Sequence, residues 1–329
     1  MSDRVLVTGG AGFIGSNVAD RLLHAGHSVV VFDNFDPYYD PAQKRRNVGR
    51  ALESPSYRLI EGDVRDRASL ASAFESAAPD VVVHLAARAG VRASVEDPLS
   101  YLEVNELGGL FVLEESRIRG GVPIVFASTS SVYGGGSVPP FREDDPATTP
   151  LSPYAASKRS AELMVHAYHH LHRIPVAVAR FFTVYGPRGR PDMAMYSFTR
   201  DILAGRPIRL HGETTERDFT YVDDIVDGVL GAMDWVKRTR GHDTFNLGRS
   251  EPVRVRRLIE LLSRELGVEA KVVMGELGAS EVVRTAANVE KAHSAFGYRP
   301  RVSLEEGVRR WVEWSRTSPE APQELRPKP

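Results

Sequence analysis

Short apolar runs rich in β-branched residues alternate with helical patterns through the first half of the chain. The runs lie at Val5 to Thr8, Ser28 to Phe32, Tyr57 to Ile60, Val81 to Leu85, Ile124 to Ser128 and Pro175 to Arg180, with a helix over Phe13 to Ala25. Alternation of this kind builds βα units around a parallel sheet, so the expected class is α/β with a doubly wound parallel sheet. Asn34 to Ser56, rich in Asp, Pro, Tyr and Arg, breaks the rhythm and reads as a loop with one short helix. Beyond about Gly186 the pattern turns irregular. Helices are predicted over Ala194 to Ala204, Val255 to Leu266 and Leu304 to Ser315, with strands near Ile208 to His211 and Lys271 to Met274, which reads as a smaller α/β domain assembled from several segments. The expected division is 1–186 plus about 219–247 for the sheet domain, 187–218 and 248–316 for the second, and a disordered tail over 317–329, where Pro and Glu appear without periodicity.

Charge narrows the function. Lys+Arg is 42 against Asp+Glu 43, a net charge of -1, so no chain-wide basic field holds a nucleic acid or an anionic membrane. Cysteine is absent, which removes thiol nucleophiles, thiolate zinc sites and disulfide frameworks. Chemistry must come from oxygen, nitrogen or a borrowed cofactor. No stretch approaches a membrane span, and a cytoplasmic protein is expected. Only six of the 42 cations are lysine (Lys44, Lys158, Lys237, Lys271, Lys291, Lys328); where arginine is the habit, a retained lysine invites a chemical reason.

Gly9-Gly10-Ala11-Gly12-Phe13-Ile14-Gly15 follows the first strand and opens the first helix. Glycines there permit a tight turn and close backbone approach, and a helix N-terminus offers free amides to a pyrophosphate. A glycine-rich stretch alone says little. Here the second strand ends at Asp33, 18 residues beyond Gly15, where a carboxylate can accept both adenosine ribose hydroxyls and repel a 2′-phosphate. The pair points to a dinucleotide, NAD rather than NADP.

Tyr154 and Lys158 open a helical pattern running to about His172 and, four residues apart, share one face. A phenol is a poor base at neutral pH, but a neighbouring ammonium and a cationic nicotinamide both stabilise phenolate. Arginine's permanently charged fork would not replace a compact ammonium that must reach ribose and phenol together. His166 and His170 have metal-ligand spacing but no acidic partner, and no metal is expected.

The Gly9-x-x-Gly12-x-x-Gly15 spacing resembles the short-chain dehydrogenase/reductase superfamily, and further stretches resemble its extended branch. Asp63 and Val64 after the third strand resemble the segment that meets the adenine. Leu85, Ala86 and Ala87 resemble the stretch beside the cofactor, and Asn105 resembles the branch's structural Asn. In Ser128-Thr129-Ser130-Ser131-Val132-Tyr133-Gly134 the resemblance places the catalytic hydroxyl on Thr129, with Ser130 and Ser131 beside it. The stretch Arg180 to Ala194, containing Thr183 and Arg190, is similar to that of UDP-glucuronate 4-epimerases, as are Asp33-Asn34-Phe35, Tyr38-Tyr39-Asp40-Pro41 and Lys44. The resemblance implies a Rossmann-type NAD domain with a UDP-sugar domain, a homodimer, and 4-epimerisation of UDP-glucuronate to UDP-galacturonate through a 4-keto sugar. In that reaction Tyr154 takes the 4-hydroxyl proton while hydride goes to the nicotinamide and returns to the opposite face.

Related chemistries differ at named positions. Dehydratases of the branch carry Asp-Glu where this chain has Ser130 and Ser131, and UDP-glucuronate decarboxylases carry Glu at Ser131. Decarboxylation and UDP-glucose 4-epimerisation remain the alternatives, and an NAD-sensing protein without catalysis is the alternative of another class. Arg217 matches the family's diphosphate-binding Arg, and Glu281 stands near the expected ribose contact. There the chain reads Gly278-Ala279-Ser280-Glu281-Val282 rather than Pro-Gly-Asp-Val. Arg88, Arg188 and Ala287-Asn288 are further departures.

Overall fold

The computed structural model describes residues 2–326. Six strands alternate with helices as the apolar runs predict: β1 (Arg4–Thr8), β2 (Ser28–Asp33), β3 (Tyr57–Glu61), β4 (Val81–His84), β5 (Ile124–Thr129) and β6 (Val176–Phe181). Six more follow: β7 (Thr183–Tyr185), β8 (Ile208–His211), β9 (Glu216–Tyr221), β10 (His242–Leu247), β11 (Pro252–Arg254) and β12 (Val272–Gly275). The main sheet has the order β10-β6-β5-β4-β1-β2-β3, all parallel. From β1 the chain winds one way to β3, then returns to β4 and winds the other way. The crevice at the strands' carboxyl ends beside β1 and β4 is therefore the topological switch point, where such sheets bind ligands.

Both sheet faces are covered. Val5, Val7, Val29, Val31, Val81 and Val83 pack to one side, under helices Phe13–His24 and Val222–Thr239. Leu6, Val30, Phe32 and Val82 pack to the other, under Arg67–Ala77, Gly108–Ile118 and Pro153–His172. This double burial is why the strands read as unbroken apolar runs rather than alternating ones. Beyond the main sheet, β7, β9 and β11 form a small mixed sheet and β8 pairs with β12. Helix Val255–Leu266 buries Leu258, Ile259, Leu261 and Leu262 there.

The expectation of a disordered tail over 317–329 is corrected as far as Arg326; residues 327–329 lie outside the described part. Helix Leu304–Thr317 is followed by a short turn of 3₁₀ helix, Gln323–Leu325, and both Ala321 and Leu325 are buried. Glu320 pairs with Arg188, and Glu324 accepts a hydrogen bond from Tyr196. Composition suggested a solvated tail because its anchoring partners lie more than a hundred residues away in sequence.

Candidate active site

The switch-point crevice is a cleft of about 360 Å³. At one end the turn after β1 supplies its floor. Gly9 has φ +72°, and a Cβ there would stand 2.5 Å from the Ala86 amide; one on Gly15 would stand 2.2 Å from the Gly9 carbonyl. Only glycine fits either place, and the bare backbone brings the cleft against the first helix. Gly12, its N-cap, contributes no side-chain hydrogen bond, so the first-turn amides keep donors for an anion. Gly9, Gly12, Phe13, Ile14 and Gly15 all line the cleft.

Asp33 ends β2 and is buried at the cleft wall. Its carboxylate accepts from the Ala11 amide at 3.0 Å and the Phe35 amide at 2.8 Å, with Lys44 Nζ at 3.8 Å. Two oxygens hold four lone-pair sites, so acceptor capacity remains for hydroxyls. Asn34 Nδ2 donates to Asp63 at 2.9 Å, and hydrogen bonds from Arg65 hold the Asp63 carboxyl down at about 2. Val64, Leu85, Ala86 and Ala87 complete this wall. His84, under the wall, shares a 2.7 Å hydrogen bond with Thr8, and burial with the nearby Lys158 charge lowers it to about 3, so its ring is neutral.

The other end is built on helix Pro153–His172. Ser152 caps it by accepting from the Ala155 amide, and Pro153 occupies its first turn, where a missing N–H costs nothing. Tyr154 therefore sits at the very start, half-buried and facing the cleft, with Lys158 one turn on. Burial raises the Tyr154 phenol, while a hydrogen bond with Thr129 and the charge of Arg190 pull it back. Burial lowers Lys158 to about 8 against the opposing Glu162 carboxylate, and its ammonium donates to the Ala127 carbonyl at 3.0 Å. Arg190 is thus a cation that acts on Tyr154, one that the spacing of Tyr154 and Lys158 did not suggest.

Thr129 ends β5, and its hydroxyl accepts from the Ser131 amide and donates to Ser131 Oγ, each at 3.2 Å. Thr129 thereby caps the turn that follows β5. Ser130, Ser131 and Thr183 line the same wall. Arg190 is bidentate with Asp192, at 2.9 and 2.7 Å, and Tyr38 donates to Asp192 at 3.3 Å. Arg88 and Arg190 each stand 5.8 Å from the Tyr38 ring centre. Arg88 therefore faces the cleft, and its Nε is buried with no hydrogen-bond partner.

Three sequence candidates stand outside this lining. Asn105, in a π-helical turn over Leu102–Leu107, accepts from the Arg88 amide and donates to the Arg88 carbonyl and Ser157 Oγ. It ties the loop after β4 to the Tyr154 helix from behind. Arg217 donates to the carbonyls of Glu216 and Val283, and Glu281 accepts from Arg92 Nε at 2.9 Å. Neither is among the residues that line the cleft. Sequence reading passed over Glu162, although it continues the spacing of Tyr154 and Lys158 by four. It is buried, bidentate with Arg180 at 2.9 and 2.7 Å, and accepts from Ser128 at 2.6 Å. Tyr101, whose ring centre lies 6.0 Å from that of Tyr154, left no pattern to find.

Comparison with known proteins agrees with this geometry. A UDP-glucuronate 4-epimerase of Thermodesulfobacterium geofontis is 41% identical over 313 residues, covering 94% of this chain and 95% of that one. UDP-glucuronate 4-epimerase 1 of Arabidopsis thaliana is 43% identical, covering 94% and 76%. The crystal structure of UDP-glucuronic acid 4-epimerase from Bacillus cereus, in complex with UDP-glucuronic acid and NAD, superposes with a TM-score of 0.88 at 34% identity, over 94% of this chain and 98% of that one. With residues 5–248 matching its profile, the chain belongs to the NAD dependent epimerase/dehydratase family.

Proposed function

We propose that this protein interconverts UDP-glucuronate and UDP-galacturonate, using tightly held NAD that the overall reaction does not consume. The residues suit the cofactor: a glycine turn that no side chain could enter, free first-turn amides, and a buried Asp33 with acceptor sites to spare. Gly9, Gly12, Phe13, Ile14 and Gly15 would hold the pyrophosphate, Asp33 and Asn34 the adenosine ribose, Asp63 and Val64 the adenine side, and Leu85 to Ala87 with Lys158 the nicotinamide half. When bound, NAD⁺ accepts hydride from sugar carbon 4 and returns it to the opposite face.

The chain's own groups carry the proton work. Tyr154 removes the 4-hydroxyl proton and later gives it back. Thr129 hydrogen-bonds the same oxygen and keeps the phenol aligned. Lys158, positive below about pH 8, favours phenolate once it turns toward the ribose and phenol. The transient 4-keto sugar is a β-keto acid, so its carboxylate must be held where loss of carbon dioxide is disfavoured; Ser130, Ser131 and Thr183 are placed for this. The observation that carries the epimerase reading is what the wall lacks. The carboxylates lining the cleft, Asp33, Asp36 and Asp63, all come from the nucleotide end, and the lining beside Tyr154 offers hydroxyls, Lys158 and Arg190 but no carboxylate. General acid–base work at carbon 5 has no group there.

Incubating the purified protein with UDP-glucuronate, without added NAD, is expected to yield UDP-galacturonate. UDP-xylose as the main product would replace epimerisation by decarboxylation, and faster turnover of UDP-glucose would move the substrate to the uncharged sugar. Arg217 and Glu281 are assigned to the UDP moiety, which requires Glu281 to exchange Arg92 for the nucleotide. A homodimer completes the reading: Leu99, Leu102, Leu163 and Met164 are exposed on neighbouring helical segments, an apolar surface suited to a second copy.

A further inference from the structure

The loop between Gly186 and helix Ala194–Leu203 carries Arg190 and Met193 into the cleft, and the C-terminal segment grips it at both ends. On the near side Arg188 is 6% exposed and holds φ +67°, a left-handed backbone that costs energy for any residue with a Cβ. Its guanidinium is bidentate with Glu320, at 2.8 and 3.0 Å, and its third nitrogen lies 2.7 Å from Asp20 of the first helix. On the far side Tyr196, in the first turn of the following helix, donates to Glu324 at 2.8 Å. Ala321 between these anchors and Leu325 just beyond them are buried, so the segment is seated by packing as well as by charge.

From this bracketing we infer that residues 318–326 are a strut for the substrate loop, with Glu320 as a positioning residue acting through Arg188. Among the described residues the loop's remaining fixings to the rest of the fold are single hydrogen bonds: Gln43 Nε2 to the Gly189 carbonyl at 2.9 Å, Asn17 Nδ2 to the Pro187 carbonyl at 3.3 Å, Tyr38 to Asp192 at 3.3 Å, and Arg190 to the Ala89 carbonyl at 3.4 Å. One residue, Gly189, separates Arg188 from Arg190, so the guanidinium that acts on Tyr154 and pairs with Asp192 takes its place from a backbone that Glu320 holds. Among the described residues no hydrogen bond or ion pair joins 318–326 to the nucleotide-binding turn, which should be indifferent to the strut. The inference rests on the proposed function only in naming UDP-glucuronate as the probe.

The test compares the full chain with Glu320→Gln, with Glu320→Gln/Glu324→Gln, and with a chain ending at Thr317. Amide exchange over 187–196 should quicken, with β1 and the glycine turn of residues 9–12 unchanged. UDP-glucuronate affinity should fall about tenfold, the scale expected when binding groups are displaced but not removed, and NAD affinity should stay within about twofold. Glu320→Asp should recover part of the loss, and a peptide of residues 318–326 added to the shortened chain should slow the loop's exchange again. Lower thermal stability with unchanged loop exchange and UDP-glucuronate affinity overturns the inference, as does an equal loss of NAD affinity. If the shortened chain fails to fold, the two glutamine variants decide. A full chain that binds UDP-glucuronate without turning it over removes the proposed function but leaves the exchange result to judge the strut.

Discussion

Lys158 is a buried ammonium whose pKa falls from 10.5 to about 8, which corresponds to about 3 kcal/mol of preference against its charged form. Its folded value lies below its unfolded value, so the cost is fully present below about pH 8 and fades as pH rises toward 10.5. Lys158→Met is therefore expected to abolish turnover and to stabilise the cofactor-free protein at pH 7 by up to about 3 kcal/mol, as read by urea unfolding. The activity that needs this ammonium should decline above about pH 8 in a kcat profile. Tyr154→Phe removes the proposed proton carrier and should lower kcat by about a thousandfold or more, with circular dichroism and NAD binding unchanged. At this scale the sequence was legible where chemistry imposes spacing, as with Tyr154 and Lys158. Tyr38 and Asp192 lie in stretches the resemblance marked, but their convergence with Tyr101 from segments far apart in the chain is marked by nothing local.

Among elements, the first turn is the most strictly specified. Gly15→Ala would place a Cβ 2.2 Å from the Gly9 carbonyl, so either the turn opens or the helix shifts. The expected result is loss of NAD binding in a calorimetric titration and a destabilisation of about 1–3 kcal/mol, the usual cost of overpacking. The main strands and the helices Ala194–Leu203, Val255–Leu266 and Leu304–Thr317 lie within a residue or two of where periodicity put them, because each buries a continuous apolar face. β7, β9, β10 and β11 were not read as strands. β7 and β11 have three residues each, and β10, His242–Leu247, carries few apolar residues because it lies at the sheet edge beside β6. Its pairing, not its composition, makes it a strand.

For the whole molecule, the exposed apolar residues along the Tyr154 helix and its neighbours carry the quaternary prediction. The protein is expected to sediment as a dimer, and Leu163→Glu with Met164→Glu to give a monomer that still binds NAD, since neither residue lines the cleft. Fold class, the dinucleotide turn and the Tyr–Lys pair could be read from the chain alone because each is a local pattern: period, steric permission, spacing on one helix face. The charge state of Tyr154, the left-handed grip on Arg188 and the order of the C-terminal segment could not. These depend on groups brought together across the fold: Arg190 with Tyr154, Glu320 with Arg188, and Glu324 with Tyr196. Burial then sets the strength of each interaction, and burial is a property of the packed molecule that no stretch of residues possesses alone.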